Sequence, residues 1–201
     1  MERYKGVKFN YKQVAKSFTT AQEPLLQLNR WAYLFSQLGL TPVHSEGAYG
    51  NHSYRTGSSS FIITKSGMVP TEDVDEDSFA HIIAFENSAN CFLFEGPSIP
   101  SSETLLHGLI YTSSPYITAI LHGHCSLFLK YATALDLPIT RTFHPYGTRE
   151  LAESALDIIN TSTRFFILRD HGFVALGESM EEAGNLTLDI LTKLLQLIQK
   201  R

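Results

Sequence analysis

Hydrophobic residues recur along the first half of the chain at spacings typical of one helix and several strands. In EPLLQLNRWAYLFSQLGL the apolar positions return every three or four residues, which predicts a helix that Gly39 is placed to end. Short apolar runs predict strands at Phe61–Thr64, in FAHIIAFE and in CFLFE. The polar, glycine-rich stretch SEGAYGNHSYRTGSSS, which precedes the first of these strands, is typical of a loop.

The second half of the chain alternates strands and helices. IPSSETLLHGLIYTSS predicts a helix with Ser101 or Ser102 as its N-cap and Glu103 in its first turn. The further expected elements are the strand of YITAILHGH, a helix over residues 126–135, a helix opened by Thr148, two strands in RFFILRDHGFVALGES, and a final helix in which Ser179 and Glu182 have the spacing of a capping box. This alternation predicts an α/β fold, a sheet with helices on its faces. Because no repeat or linker divides the chain, we expect a single domain over residues 1–201.

The composition excludes several classes of function. Of the 201 residues 43% are hydrophobic and 18% are charged, which suits a folded core and not a disordered chain. The formal net charge of −4 gives no basic surface for nucleic acid, and no apolar segment approaches the ~20 residues that cross a membrane. Cys91 and Cys125 are too few for a secreted disulfide framework, and MERYKGVKFN has no apolar signal segment. We therefore expect a cytoplasmic protein without a nucleic-acid or membrane partner.

Two histidines stand one residue apart at the end of the strand in YITAILHGHC. Residues i and i+2 of a strand point to the same face, so His122 and His124 are expected to project together, with Gly123 as a spacer. Neighbouring imidazoles are a good start for a divalent metal site, and a catalytic zinc commonly has three protein ligands. His171, at the bend between two predicted strands, is the best third candidate. For any one of these histidines alone, core packing or a surface role is the favoured explanation; for the pair on one strand, metal binding is slightly favoured.

Other polar positions have both a structural and a functional interpretation. Glu103 suits the first turn of a helix through the helix dipole, or it acts as a general acid/base beside the metal. YGNHS and TKSGM are ordinary turns, or small-residue segments whose N–H groups approach an anion such as phosphate. Ser101 and Ser102, at a helix N-terminus, would add to such an anion site.

The order of the motifs favours the functional interpretations. Six short segments resemble, in sequence order, the motifs of the class II aldolase/adducin family over about residues 25–200. They are GN.S, ITKSG, PSSETLLH, HGHCS, YGTREL and RDHG. The resemblance implies a three-layer α/β/α sandwich with a mostly antiparallel central sheet, assembled as a homotetramer. It also implies a metal-dependent lyase that cleaves a small sugar phosphate through a metal-stabilised enediolate.

The resemblance also assigns roles to particular residues. One divalent ion per chain, expected to be zinc, is bound by His122, His124 and His171, and Glu103 moves protons. The substrate phosphate lies among the GN, SG and SS motifs, which contribute Gly50, Asn51, Ser66, Gly67, Ser101 and Ser102. Glutamate at position 103, where the epimerases of the family have aspartate, favours aldolase chemistry.

The chain departs from the family at three places. His52 follows Asn51 where a small aliphatic residue is usual, which predicts an altered phosphate loop, and Lys65 replaces a proline. The span from Cys125 to Tyr146 is short, so no catalytic tyrosine maps onto it; Tyr131 is expected to lie in a helix. Two alternatives stay open: a dehydratase of the methylthioribulose-phosphate type, and a non-catalytic, adducin-like assembly domain.

Overall fold

The computed structural model describes residues 6–86 and 89–200 and has a mixed α/β fold. Its strands are β1 (Asn10–Ala15), β2 (Val43–His44), β3 (Gly47–Ala48), β4 (Gly50–Arg55), β5 (Phe61–Thr64), β6 (Phe79–Glu86), β7 (Cys91–Glu95), β8 (Ala119–Gly123), β9 (Phe165–Leu168) and β10 (Gly172–Gly177). Its α-helices are α1 (Gln22–Gln37), α2 (Thr104–Ser113), α3 (Ser126–Tyr131), α4 (Arg149–Leu156) and α5 (Met180–Gln199). The strands predicted from FIIT, FAHIIAFE and CFLFE are confirmed.

Eight of the strands form one large sheet in the order β1-β7-β6-β5-β4-β8-β10-β9. Neighbouring strands are antiparallel except at one edge, where β1 pairs with β7 in parallel. The expected large, mostly antiparallel sheet is therefore confirmed. Strands β4, β8 and β10 are adjacent in this order, and the chain positions that carry the histidine motifs lie on them or at their ends.

Alternation along the central strands buries apolar side chains on both faces of the sheet. Ile120 of β8 packs in a cluster with Leu106 of α2 and Ala152 of α4. The next residue, Leu121, packs in a second cluster with helices α1, α3 and α5, whose contributing residues are Phe35, Phe128, Ala183, Ile190 and Leu194. Successive strand residues point to opposite faces, so the two clusters flank the sheet.

Two polar segments form strands that the hydrophobic pattern does not show. Gly50–Arg55, expected as a loop, is the buried strand β4 between β5 and β8. Two of its polar side chains have partners inside the protein: the Ser53 hydroxyl lies 2.6 Å from His107 Nδ1, and the Asn51 amide donates to Glu103 Oε2 over 2.9 Å. Asn10–Ala15 is a largely exposed edge strand, which needs no apolar alternation. Both were missed because strand pairing here overrides local propensity.

Helix α2 begins later than expected. Glu103 is its N-cap and Thr104 its first residue, so Glu103 does not lie in the first turn and neither serine is the N-cap. The Thr104 N–H donates to the Ser101 carbonyl over 3.1 Å, a turn that precedes the helix. The Glu103 side chain makes no capping hydrogen bond, and it is thereby available for contacts elsewhere.

The remaining helix predictions are largely confirmed. Thr148 caps α4 through its hydroxyl, and Ser179 Oγ accepts the Glu182 N–H at the start of α5. The Glu182 carboxylate accepts the Glu178 N–H over 2.6 Å, instead of the N–H of the N-cap itself. The helix expected over 126–135 divides into α3 and a 3-10 turn over 133–135. None of the helices in the described ranges has the length and apolar character needed to cross a membrane.

Candidate metal centre

Four side chains from three separate segments meet at one point. Glu103 comes from the start of α2, His122 from β8, His124 from just after β8, and His171 from the turn between β9 and β10. One ligand atom from each lies within 4.8 Å of the corresponding atoms of the others. The structure thus brings together the three imidazoles that the sequence suggested as metal ligands and the carboxylate that it suggested as the general acid/base.

The Glu103 carboxylate lies between two of the imidazoles. Its Oε2 is 2.8 Å from His122 Nε2, and its Oε1 is 2.7 Å from His171 Nε2. The Asn51 amide donates to Oε2 over 2.9 Å. The Nε2 atoms of His122 and His124 are 3.0 Å apart. Each of these side chains therefore points a polar atom at the same small volume.

Two glycines allow the strands that carry the site to approach closely. A Cβ on Gly123 would lie 2.5 Å from the Leu40 carbonyl oxygen and 2.7 Å from the Phe173 ring. A Cβ on Gly172 would lie 2.8 Å from the His122 ring. Any larger residue at either position would push β8 away from its neighbours. Gly123 is thus needed for backbone approach as well as for the spacing of the imidazoles.

The hydrogen bonds around His122 indicate that the site accepts a cation. His122 Nδ1 is 2.7 Å from the Phe173 carbonyl, which can only accept, so Nδ1 carries a proton and Nε2 is the nitrogen turned to the cluster. His122 Nε2 faces the carboxylate of Glu103 and the His124 Nε2. A metal-bound imidazole typically donates its other N–H in this way. The converging acceptors fit a divalent ion, and three imidazoles with one carboxylate are ligands that zinc accepts.

The protonation states also suit metal binding. Burial raises the pKa of the Glu103 carboxyl, but the charges and hydrogen bonds of His122 and His171 outweigh burial and hold that pKa well below its usual value. Burial, followed by the charges of His171 and His122, lowers the pKa of His124 well below its usual value. The site therefore offers an ionised carboxylate and a neutral imidazole, the forms that bind a metal.

A cavity of about 670 Å³, counting the space open to solvent, lies over this cluster. Nine of the ten residues suggested as site residues line it: Gly50, Asn51, Ser66, Gly67, Ser101, Ser102, Glu103, His124 and His171. His122, which is fully buried, lies behind them. Asn51, expected beside a phosphate, has its amide on Glu103. The structure therefore places the suggested metal and phosphate residues around one space.

Several residues that line the cavity were not suggested from the sequence as site residues. They are Glu46, Ala48, Tyr49, Lys65, Tyr146 and Asp170. Three of them lie inside motifs that the sequence analysis describes: Lys65 in ITKSG, Tyr146 in YGTREL and Asp170 in RDHG. Their place in these motifs is the signal that could have identified them. Asp170 adopts a positive φ of 55° in the turn that presents His171. Tyr49 begins the segment YGNHS, directly before Gly50, which is a signal of the same kind.

The structure also settles where three other polar positions lie. His52, at the position where an altered phosphate loop was expected, has its imidazole buried against Phe35, with ring centroids 5.1 Å apart, and does not line the cavity. Burial lowers the pKa of His52 to about 3. Cys125 is a buried member of the apolar cluster that contains Leu121, and Tyr131 ends helix α3 as expected.

The fold and the site together define the class of protein. The family model described as Class II Aldolase and Adducin N-terminal domain matches residues 29–194. The chain belongs to this family, whose class II aldolases are metal-dependent.

Curated relatives carry the names of three lyases. The chain is 30% identical over 113 residues to an L-fuculose phosphate aldolase of Methanococcus maripaludis, a match covering 49% of this chain and 60% of the relative. It is 30% identical over 105 residues to a 3-oxo-tetronate 4-phosphate decarboxylase of Escherichia coli K12, covering 43% and 49%. It is 24% identical over 165 residues to a methylthioribulose-1-phosphate dehydratase of Pseudomonas savastanoi, covering 69% and 78%. The chain thus spans about half to three-fifths of the first two relatives' length.

Solved structures of similar proteins have the same fold. The L-fuculose-1-phosphate aldolase of Thermus thermophilus superposes with a TM-score of 0.68 at 21% identity, over 90% of this chain and 95% of that one. Another L-fuculose 1-phosphate aldolase gives a TM-score of 0.68 at 21% identity, over 89% and 85%. At these identities the likeness concerns the fold.

Proposed function

We propose that the protein is a metal-dependent aldolase that cleaves a carbon–carbon bond in a small sugar phosphate. The observation that carries this proposal is the meeting of Glu103, His122, His124 and His171 at the base of an open cavity. One ionisable carboxylate beside three imidazoles supplies a proton carrier next to a cation site.

The roles of the residues follow from their contacts. His122, His124 and His171 would hold one divalent ion, with Glu103 beside it. A bound ion would supply Lewis acidity, which stabilises the negative charge of an enediolate produced by retro-aldol cleavage. The Glu103 carboxylate takes the substrate hydroxyl proton and later returns a proton to carbon. Asn51 holds this carboxylate in place through the 2.9 Å hydrogen bond to Oε2.

Part of the cavity lining, called here the phosphate end, suits a phosphate group: it consists of Ser66, Gly67, Ser101 and Ser102. Ser101 and Ser102 precede the N-cap of helix α2, whose N-terminus favours an anion. Lys65 is the only lysine or arginine among the described residues that line the cavity. Its Nζ lies 4.0 Å from Asp75 Oδ2, at the outer limit of an ion pair, so the ammonium can contribute to binding an anion.

Further parts of the proposal rest on chemistry or on the family. Zinc is proposed as the ion because three imidazoles form one of its common catalytic ligand sets. A three-layer α/β/α arrangement of a single domain is supported by the apolar clusters on both faces of the sheet. The family resemblance supports a homotetramer, and the free thiols of Cys91 and Cys125 support a cytoplasmic setting.

A dehydratase of the methylthioribulose-phosphate type is the second candidate. The match to the Pseudomonas dehydratase, which covers 69% of this chain and 78% of that relative, supports it. A non-catalytic assembly role finds less support, since all four cluster side chains are retained and converge.

Product analysis on the purified, zinc-loaded protein separates these reactions. L-fuculose 1-phosphate and methylthioribulose 1-phosphate are the test substrates, because relatives are named for them. Dihydroxyacetone phosphate and an aldehyde are expected from an aldolase, whereas loss of water without carbon–carbon cleavage would identify a dehydratase. Protein that binds no divalent ion and turns over neither compound would contradict both.

A further inference from the structure

His124 is held differently from the other histidine of its motif. His122 lies within β8 and has its Nδ1 on the Phe173 carbonyl. His124 follows the last residue of β8, and its buried Nδ1 has no hydrogen-bond partner among the described residues. A metal-binding imidazole is usually oriented by a hydrogen bond from its second nitrogen. Something else must therefore fix the orientation of this ring.

Tyr49 is the aromatic residue outside the cluster that contacts His124. The two rings pack edge to face, with centroids 5.7 Å apart and an interplanar angle of 67°. Tyr49 also contacts His44, with ring centroids 4.3 Å apart. The remaining ring contacts of His124 are with His122 and His171, which belong to the cluster itself.

A small hairpin presents Tyr49 to the site. Strands β2 and β3 pair with each other only, and Tyr49 follows β3 directly. The Tyr49 N–H donates to the Pro42 carbonyl over 2.9 Å, which closes the base of the hairpin. A Cβ on Gly47 would lie 2.5 Å from the Gly67 backbone, so the hairpin packs closely on the loop that carries Ser66 and Gly67. These contacts fix the position of the phenol ring against His124.

We propose that Tyr49 is a positioning residue that holds the His124 imidazole in its metal-binding orientation through ring contact. The inference rests on the proposed function, since it assumes that His124 is a ligand. The ring of Tyr49 substitutes for the missing hydrogen bond by restricting rotation about the bond between Cβ and the imidazole. The hydroxyl group is not required for this role.

Zinc affinity of the full chain tests the proposal. Competition with a chromogenic chelator gives the dissociation constant for the wild type, Tyr49→Phe, Tyr49→Leu and the control Tyr33→Leu. Tyr33 lies on α1 and, like Tyr49, is partly exposed, but it does not line the cavity. Tyr49→Leu is expected to weaken zinc binding about tenfold or more, the usual effect of losing a supporting contact. Tyr49→Phe and Tyr33→Leu are expected to bind zinc as the wild type does.

A spectroscopic measurement distinguishes positioning from a general loss of structure. The visible spectrum of the cobalt-loaded protein reports the ligand geometry. It should change in Tyr49→Leu, return to the wild-type form in Tyr49→Phe, and be unaffected in Tyr33→Leu. Wild-type affinity and spectrum in Tyr49→Leu would overturn the inference, as would equal losses in Tyr49→Phe and Tyr49→Leu. If the wild type itself binds no zinc, the proposed function fails instead.

Discussion

Replacing Glu103 with glutamine tests the centre of the proposed site, because it removes the charge and leaves the shape. The residue is only 3% exposed, so the amide would occupy the space of the carboxylate. It would still be able to accept the hydrogen bond from Asn51 Nδ2. What it cannot do is take up and return a proton at neutral pH.

The expected loss follows from that role. A positioned general acid/base contributes about 10²–10⁴-fold to the rate, which corresponds to about 2.7–5.4 kcal/mol at 1.36 kcal/mol per factor of ten. The loss should appear in kcat. KM should change little, because Ser66, Ser101 and Ser102 at the phosphate end are unaltered.

A suitable assay follows dihydroxyacetone phosphate by its enzymatic reduction with NADH. Glu95→Gln is a matched control: Glu95 also pairs with an imidazole, His81 Nδ1 at 3.2 Å, but neither residue lines the cavity. Circular dichroism confirms that both variants are folded. A kcat of Glu103→Gln within about threefold of the wild-type value would refute the acid/base role, because a threefold loss is far smaller than the expected loss.

Three further predictions concern the ion, the phosphate and the interior. Removing the ion by chelation should lower the melting temperature by about 5–10 °C, because an ion present at a hundredfold excess over its Kd contributes about 2.7 kcal/mol; an unchanged melting curve would contradict a bound ion. Lys65→Met should raise KM for the phosphorylated substrate about tenfold with kcat retained, as expected for a charge-assisted contact, whereas an unchanged KM would remove Lys65 from the phosphate end. Burial lowers the pKa values of His52 and His107 to about 3, so below pH 6.5 the unfolded chain binds more protons than the folded protein does. Urea denaturation should therefore show stability falling on acidification below pH 6.5, by up to about 1.4 kcal/mol per pH unit for each imidazole, and a flat profile would contradict this.

Features encoded by neighbouring residues were predictable from the sequence. The apolar runs at Phe61–Thr64, Phe79–Glu86 and Cys91–Glu95 form strands with those bounds, because three or more strand residues in each are buried or partly buried. Thr148 and Ser179 cap helices because a hydroxyl at an N-cap satisfies an otherwise unpaired N–H. The i, i+2 spacing of His122 and His124 likewise indicated that the two rings meet.

Features that depend on strand order were not predictable in this way. The polar strand β4 is buried because β5 and β8 pair with it on both sides, a condition that its own residues do not encode. Only this pairing brings the Asn51 amide to Glu103, which is 52 residues further along the chain.

The sequence by itself determined the family resemblance, the ligand types and the local elements, since these depend on residue identity and short spacing. The tertiary structure decided how Glu103 and His171, 68 residues apart, come within 2.7 Å of each other. It also decided that Tyr49 contacts His124 and that His52 faces away from the cavity. These outcomes depend on the adjacency of β4, β8 and β10, a long-range arrangement set by the packing of the whole sheet.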